Sequence, residues 1–294
     1  MLTFKIPEIN DKEWIVPILK ESGCIGADCA FGTMFIWQEA YKIKVLKYKD
    51  FLLKTFGDEP IYSFPVGCGD IKDALNTIIK DSKEKGIPFK MMGVTEYLSK
   101  QLEEIMPGAF EFKEERDIAD YIYNSTDLAL LKGKKYHGKR NHIAKFEREY
   151  NWEYEEISSK NIDACKDFCQ KWFDENKDQK LESIELEKIA LKKSFDNYNA
   201  LDFFGGIIKV DNNIVALTMG EEINKDVFLT HFEKALTSYN GSYSIINREF
   251  ASRLKNNYLY INREEDMGIE GLRKAKLSYC PSTLLKKFIA IKKD

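Results

Sequence analysis

Phe203-Phe204-Gly205-Gly206-Ile207-Ile208-Lys209-Val210-Asp211-Asn212-Asn213-Ile214-Val215-Ala216-Leu217-Thr218-Met219-Gly220-Glu221 is the stretch on which the fold turns. Two apolar runs flank Asp211-Asn212-Asn213, residues that tolerate positive φ, so the segment predicts a hairpin. Residues 227–232 add a third strand and complete a meander. Downstream, Tyr243, Ile246, Phe250 and Leu254 fall at i, i+3, i+7 and i+11, the spacing of one packed helix face. Residues 258–261 and 284–291 read as two further strands. Upstream, residues 152–157 read as a strand. Cys165, Phe168, Cys169 and Trp172 then form the buried stripe of an amphipathic helix. A charged helix over 181–198 places Leu181, Ile184, Leu191 and Phe195 on one side.

The first half alternates in the same way. Residues 2–6 look strand-like, 11–19 helical, and 72–85 helical up to the terminator Gly86-Ile87-Pro88. Residues 89–94 read as a strand, and 97–105 as a helix closed by Pro107-Gly108. Phe64-Pro65-Val66-Gly67-Cys68-Gly69-Asp70 reads as a loop. Strands and helices alternating through both halves predict an α/β (α+β) chain. At 294 residues, two domains are expected, over 1–130 and 131–294. No period of 20–50 residues appears, which excludes a solenoid.

Composition narrows the function classes. Hydrophobic residues are 44% and charged residues 32%, enough apolar matter for a core and too little bias for disorder. Lys plus Arg is 45 against 48 Asp plus Glu, a formal charge of -3 that excludes a globally basic nucleic-acid binder. Early charges rule out a secretory signal, and nowhere do 18 apolar residues run together, so no transmembrane segment and a cytoplasmic location are expected. Six cysteines with no Cys-x-x-Cys spacing read as reduced core thiols and not as a metal site.

Residues 132–148 hold seven cations against Glu147 alone, a local charge of +6. Such density attracts phosphate groups, of tRNA or another phosphate-bearing donor; the alternative is a solvated helix face. Gly133 to Lys139 fits the first seven places of a P-loop. The eighth place is Arg140, without the Mg²⁺-binding hydroxyl, so a nucleotide hydrolase is not expected. Glu233 ends the third strand of the meander, where it can take a proton from, or orient, an attacking amine; it can equally pair with a neighbouring cation. In residues 260–281 a strand runs into a turn with the three acids Glu264, Glu265 and Asp266 and two glycines, then a basic helix, which suits either a zwitterion site or an ion-pair network.

Several of these motifs together resemble a bacterial family. They are Lys132 to His142, His231-Phe232-Glu233-Lys234-Ala235, Asn247-Arg248-Glu249-Phe250, Asn262 to Gly268 and Gly271 to Tyr279, with Tyr62 to Gly67 in the first half. The family is that of the C-terminal domain of phosphatidylglycerol lysyltransferases. The resemblance implies two tandem acyl-CoA N-acyltransferase-like domains of the Gcn5-related fold, with mixed, mostly antiparallel sheets, related also to peptidoglycan aminoacyltransferases that use aminoacyl-tRNA. It implies a transferase that moves an aminoacyl or acyl group from aminoacyl-tRNA or acyl-CoA onto an amine or hydroxyl. No metal or further cofactor is required. Acetyltransferases of this fold cradle the coenzyme A pyrophosphate with Arg/Gln-x-x-Gly-x-Gly/Ala. Ser238 to Tyr243 matches only its central Gly241, which shifts weight to an aminoacyl donor. The expected catalytic residues are Glu233, Asp266 and Tyr279, the last protonating the leaving oxygen, with backbone N–H groups near Gly241 steadying the oxyanion. The expected substrate-binding residues are Lys134, Lys135, His137, Lys139, Arg140, Asn141, Gly241, Asn262, Arg273 and Lys276. The opposing expectation is a catalytically silent protein of the same fold that binds tRNA, nucleotide or peptide.

Overall fold

A computed structural model describes residues 1–176 and 181–293, with the side chains of residues 181–183 outside the description. The expected place of Leu181 on the face of its helix is therefore outside the described side chains. The chain forms two compact units. The first comprises residues 1–120, 265–273 and 284–294, and the second residues 121–264 and 274–283.

The first unit is a mixed sheet with strands β1 (Lys44–Tyr48), β2 (Phe51–Phe56), β3 (Ile61–Ser63), β4 (Val66–Gly67), β5 (Lys90–Thr95) and β6 (Phe110–Glu114). Its helices are α1 (Lys12–Ser22), α2 (Phe31–Ile36), α3 (Gln38–Tyr41), α4 (Ile71–Lys85) and α5 (Glu96–Ile105). Local chemistry sets α4: the Asp70 carboxylate accepts from Asp73 N at its start, and Gly86 closes it at φ 70°. Residues 2–6 do not form a strand; only Lys5 bridges to Val45 before Pro7 interrupts. Gly67, read as part of a loop, lies in β4, where an added Cβ would stand 2.1 Å from the Asp50 carbonyl.

The second unit holds β7 (Asp120–Asn124), α6 (Ser125–Leu130), α7 (His137–Glu149), β8 (Trp152–Glu156), α8 (Ile162–Glu175), α9 (Leu181–Asp196), β9 (Phe204–Val210), β10 (Asn213–Asn224), β11 (Val227–Ala235), α10 (Ser242–Leu254) and β12 (Tyr260–Asn262). Then come α11 (Glu270–Leu277), β13 (Thr283–Leu285) and β14 (Lys287–Lys292). Asp211 and Asn212 take φ 48° and 66°, so β9 and β10 are joined by the two-residue turn their side chains permit. The α8 stripe of Cys165, Phe168, Cys169 and Trp172 is buried. Cys68, by contrast, is exposed and not a core thiol.

The strand orders are β1-β2-β3-β5-β14-β6, with β4 on β2, and β13-β7-β12-β11-β10-β9-β8. Most neighbours are antiparallel; β3 with β5 and β11 with β12 are parallel. Residues 284–291 are thus not one strand. β14 inserts between β5 and β6, with Ala290 in the core beside Phe89, Met91 and Phe110. That insertion is why the division at 130 does not describe the chain: β7 already belongs to the second sheet, and the last residues complete the first. Both sheets are mixed. Among the described residues no helix is long and apolar enough to cross a membrane.

Candidate functional site

The parallel ladder between β11 and β12 is short. Only Val227, Phe228 and Leu229 face Tyr260, Ile261 and Asn262. β12 ends there while β11 continues to Ala235, so the strands part and polar side chains fill the opening. Glu233 from β11 pairs with Arg263, the first residue past β12, at 2.7 Å between Oε1 and Nη2. The two side chains are only 13% and 11% exposed, so neither is a solvated surface charge. Asn247 of α10 donates to Glu233 Oε2 at 3.1 Å.

Aromatic rings and a second cation complete the cluster. The Arg263 guanidinium carbon lies 4.8 Å from the Tyr279 ring centre and 5.5 Å from that of Tyr123. Lys139 of α7 places Nζ 3.8 Å from the Tyr279 ring centre, a cation–π distance. Lys276 Nζ donates to the Arg263 carbonyl, Tyr123 OH to the Lys276 carbonyl at 2.7 Å and Tyr136 OH to the Tyr279 carbonyl at 3.2 Å. These contacts fix Arg263 and Tyr279 from behind. Arg263 Nη1, Tyr279 OH and Asn247 Oδ1 are buried with no hydrogen-bond partner among the described residues.

The charges respond to this crowding. Burial, and then the Arg263 charge, pull the Lys139 ammonium down to about 8. Burial, and then the Glu233 charge, push the Tyr279 hydroxyl up to about 12, so it stays protonated at neutral pH. Arg263 and Ser244 pull the other way, Ser244 without the geometry of an ordinary hydrogen bond. Burial opposes the Arg263 charge, but Glu233 more than compensates and its pKa is raised.

The structure therefore brings Glu233, Tyr279, Lys139 and Lys276 into one cluster. The other expected residues stand elsewhere. Asp266 and Arg273 belong to the first unit, where Asp266 is fully buried and paired with Arg116 and Arg273. Asn262 is buried, its Oδ1 accepting from Glu264 N at 2.8 Å. Gly241 precedes α10 at φ 97°, and an added Cβ would stand 2.6 Å from the His142 carbonyl oxygen. Of the basic run, Lys135 pairs with Asp127 at 3.1 Å, and Arg140 caps the Leu131 and Gly133 carbonyls. Lys134, His137 and Asn141 are exposed, the last two linked at 3.2 Å. Sequence reasoning missed Arg263, Asn247 and Tyr123. The first two lay inside quoted motifs, but only the parting of the strands shows which side chains meet.

The family model for the C-terminal domain of phosphatidylglycerol lysyltransferases matches residues 24–291. The chain belongs to that family. A conserved protein of unknown function from Bacteroides thetaiotaomicron is 42% identical, covers 100% of both chains and superposes with a TM-score of 0.95. The L-PGS of Bacillus licheniformis, at 15% identity, has a TM-score of 0.68 over 99% of this chain and 94% of its own. A tandem GNAT protein of the clavulanic acid pathway, at 10% identity, has a TM-score of 0.50 over 100% of this chain and 99% of its own. An uncharacterized protein of Mycoplasmoides gallisepticum is 21% identical over 58% of this chain, which spans 55% of that relative's length. The structural likenesses below 25% identity speak to the fold alone, and function must be argued from the site.

Proposed function

We propose that the chain transfers an aminoacyl group from aminoacyl-tRNA to an amine or hydroxyl, in the cluster of Glu233, Arg263, Tyr279 and Lys139. The observation that carries this reading is the set of unpartnered buried atoms, Arg263 Nη1, Tyr279 OH and Asn247 Oδ1, gathered around one ion pair. Leaving such a group unsatisfied costs about 1–3 kcal/mol, so a bound substrate that supplies the missing partners recovers that cost. The donors suit a carbonyl oxygen gaining negative charge. Arg263 Nη1 and the Lys139 ammonium steady the oxyanion, the Glu233 carboxylate takes the nucleophile's proton, and Tyr279 OH protonates the leaving ribose oxygen. Aminoacyl-tRNA is favoured over acyl-CoA because α7 packs the His142 carbonyl oxygen onto Gly241, where a pyrophosphate would need N–H donors. The exposed cations around α7 supply a surface for the tRNA backbone.

The test uses unfractionated tRNA charged with ¹⁴C-labelled amino acids, with and without phosphatidylglycerol vesicles. Protein-dependent movement of label into lipid or into alkali-stable product is expected, slowed about 10²–10⁴-fold by Glu233→Gln and by Tyr279→Phe. Binding of charged tRNA without release of label would replace the transferase reading by the silent binder. Neither binding nor release would remove both.

A further inference from the structure

A second buried charge cluster lies one step along the same strand. The His231 side chain is completely buried, with Nε2 2.9 Å from Glu221 Oε1 of β10 and Nδ1 2.9 Å from Glu264 Oε1 past β12. A neutral imidazole has one N–H and one lone pair, and the lone pair would then face a carboxylate. Two carboxylate partners call for two donors, which is the imidazolium. Burial alone would discharge the ring, but Glu221 and then Glu264 raise its pKa to about 9. The Phe203 ring, 5.1 Å away, and that of Phe232, 6.3 Å away, supply apolar walls.

The backbone is shaped for this contact. Along β10 and β11, Met219 faces Phe232 and Gly220 faces Thr230, leaving His231 as the extra residue of a β-bulge. A bulge re-aims a side chain, and Gly220 makes this one feasible, since an added Cβ there would stand 1.8 Å from the Leu229 carbonyl oxygen. Across the opening Glu264 has φ 57°, a left-handed conformation that is unfavourable outside glycine and persists only when held. Consecutive residues, Arg263 and Glu264, thus reach back to Glu233 and His231. Two ion pairs of opposite sense hold the chain where the ladder between β11 and β12 has stopped.

We infer that His231 is a positioning residue, a buried imidazolium that clamps Glu264 to Glu221 and thereby holds Arg263 in register with Glu233. Replacing a buried ion cluster by apolar packing is often neutral or stabilising, so the clamp is read as serving geometry and not stability. The functional consequence rests on the proposed transferase reading, but the clamp is measurable without turnover.

The full chain labelled with ¹⁵N-histidine has only three histidines, and His137 and His142 are exposed on α7. At pH 7.5, long-range ¹H–¹⁵N spectra should show both His231 nitrogens protonated; a neutral tautomer would overturn the inference. In ¹⁵N-arginine samples, His231→Gln and Glu264→Gln should each speed solvent exchange of the Arg263 Nε–H at least tenfold, leaving Arg273 as the unaffected reference. Should His231→Gln fail to fold, Glu264→Gln, which leaves His231 and Glu221 intact, gives the answer alone. Unchanged Arg263 exchange in a folded variant would refute the positioning role. An intact clamp in a chain that never turns over charged tRNA would refute the transferase reading and leave this one standing.

Discussion

Asp266→Asn is the sharpest test of what the acidic turn does. Asp266 Oδ2 accepts from Arg116 Nη1 at 3.0 Å and Arg273 Nε at 2.9 Å, and Oδ1 from Arg273 Nη2 at 2.7 Å and Gly268 N at 2.9 Å. The carboxylate is wholly buried, and its four acceptances leave no oxygen waiting for a substrate proton. Asparagine keeps one oxygen and turns the other into a donor that faces arginine. A buried hydrogen bond to a charged group is worth about 1.5–3 kcal/mol, and breaking a buried pair costs about 3–5. Both arginine side chains are 32% exposed, so water takes up part of the loss, and a net of roughly 2–4 kcal/mol is expected. Over a chain of this size that lowers Tm by about 3–6 °C. Thermal melts and charged-tRNA turnover on the same preparation decide the matter. A Tm within about 1 °C of the parent, with turnover lost, would show that the network is not structural and that Asp266 is catalytic.

Three further outcomes are expected. Lys139→Met should raise Tm at pH 7. The folded ammonium titrates near 8 and the unfolded one near 10.5, so the contribution of Lys139 to stability rises with pH across that window, and the Tm gap between variant and parent should narrow in melts at pH 7, 9 and 10; a lower Tm at pH 7 would mean that the packing and cation–π attraction of Lys139 outweigh the burial cost. Exchanging exposed Lys132, Lys134 and Arg148 for Ala should reduce the salt dependence of charged-tRNA binding by about one unit of slope for each phosphate no longer neutralised, and an unchanged slope leaves them a solvated face. After denaturation without reductant, six thiols should titrate. In the native state Cys24, lowered to about 7 chiefly by the neighbouring Cys29 thiol, should alkylate at neutral pH long before Cys165 and Cys169, which burial pushes up to about 12; equal rates would refute these environments.

What the sequence disclosed divides by range. The Asp211-Asn212 turn, the capped α4 and the α8 stripe are written within a dozen residues, because φ preference, capping and 3.6-residue periodicity act locally. The insertion of β14 between β5 and β6 is not local, and no feature of 287–292 announces which strands it joins. The site follows the same rule. Glu233, Lys139, Lys276 and Tyr279 were candidates by chemical type, but Arg263 looked like any cation in a charged turn. Only the end of the β12 ladder at Asn262 turns it toward Glu233. Likewise nothing in the composition around His231 marks it as a bulge.

Each unit is built on a mixed sheet, yet their buried charges differ in one respect that bears on chemistry. In the first unit Lys287 Nζ is shared by Asp120 at 2.7 Å and Asp28 at 3.1 Å, and Lys54 Nζ bonds the Asp28 carbonyl. Asp266 is surrounded by four donors. These groups are tied to one another or to the backbone, and their effect is to fix the backbone they join. In the second unit the Glu233–Arg263 pair is hydrogen-bonded on one side and open on the other. Among the described residues a guanidinium nitrogen, a phenol and an amide oxygen there have no hydrogen-bond partner, and Lys139 is kept where its charge is disfavoured. Stability is a weak reason to keep groups in that condition, since apolar replacement of buried ionic groups is often neutral or stabilising. A site that must offer donors to charge appearing only during a reaction does give one. That asymmetry, more than any single residue, is the ground for seeking the chemistry in the second unit.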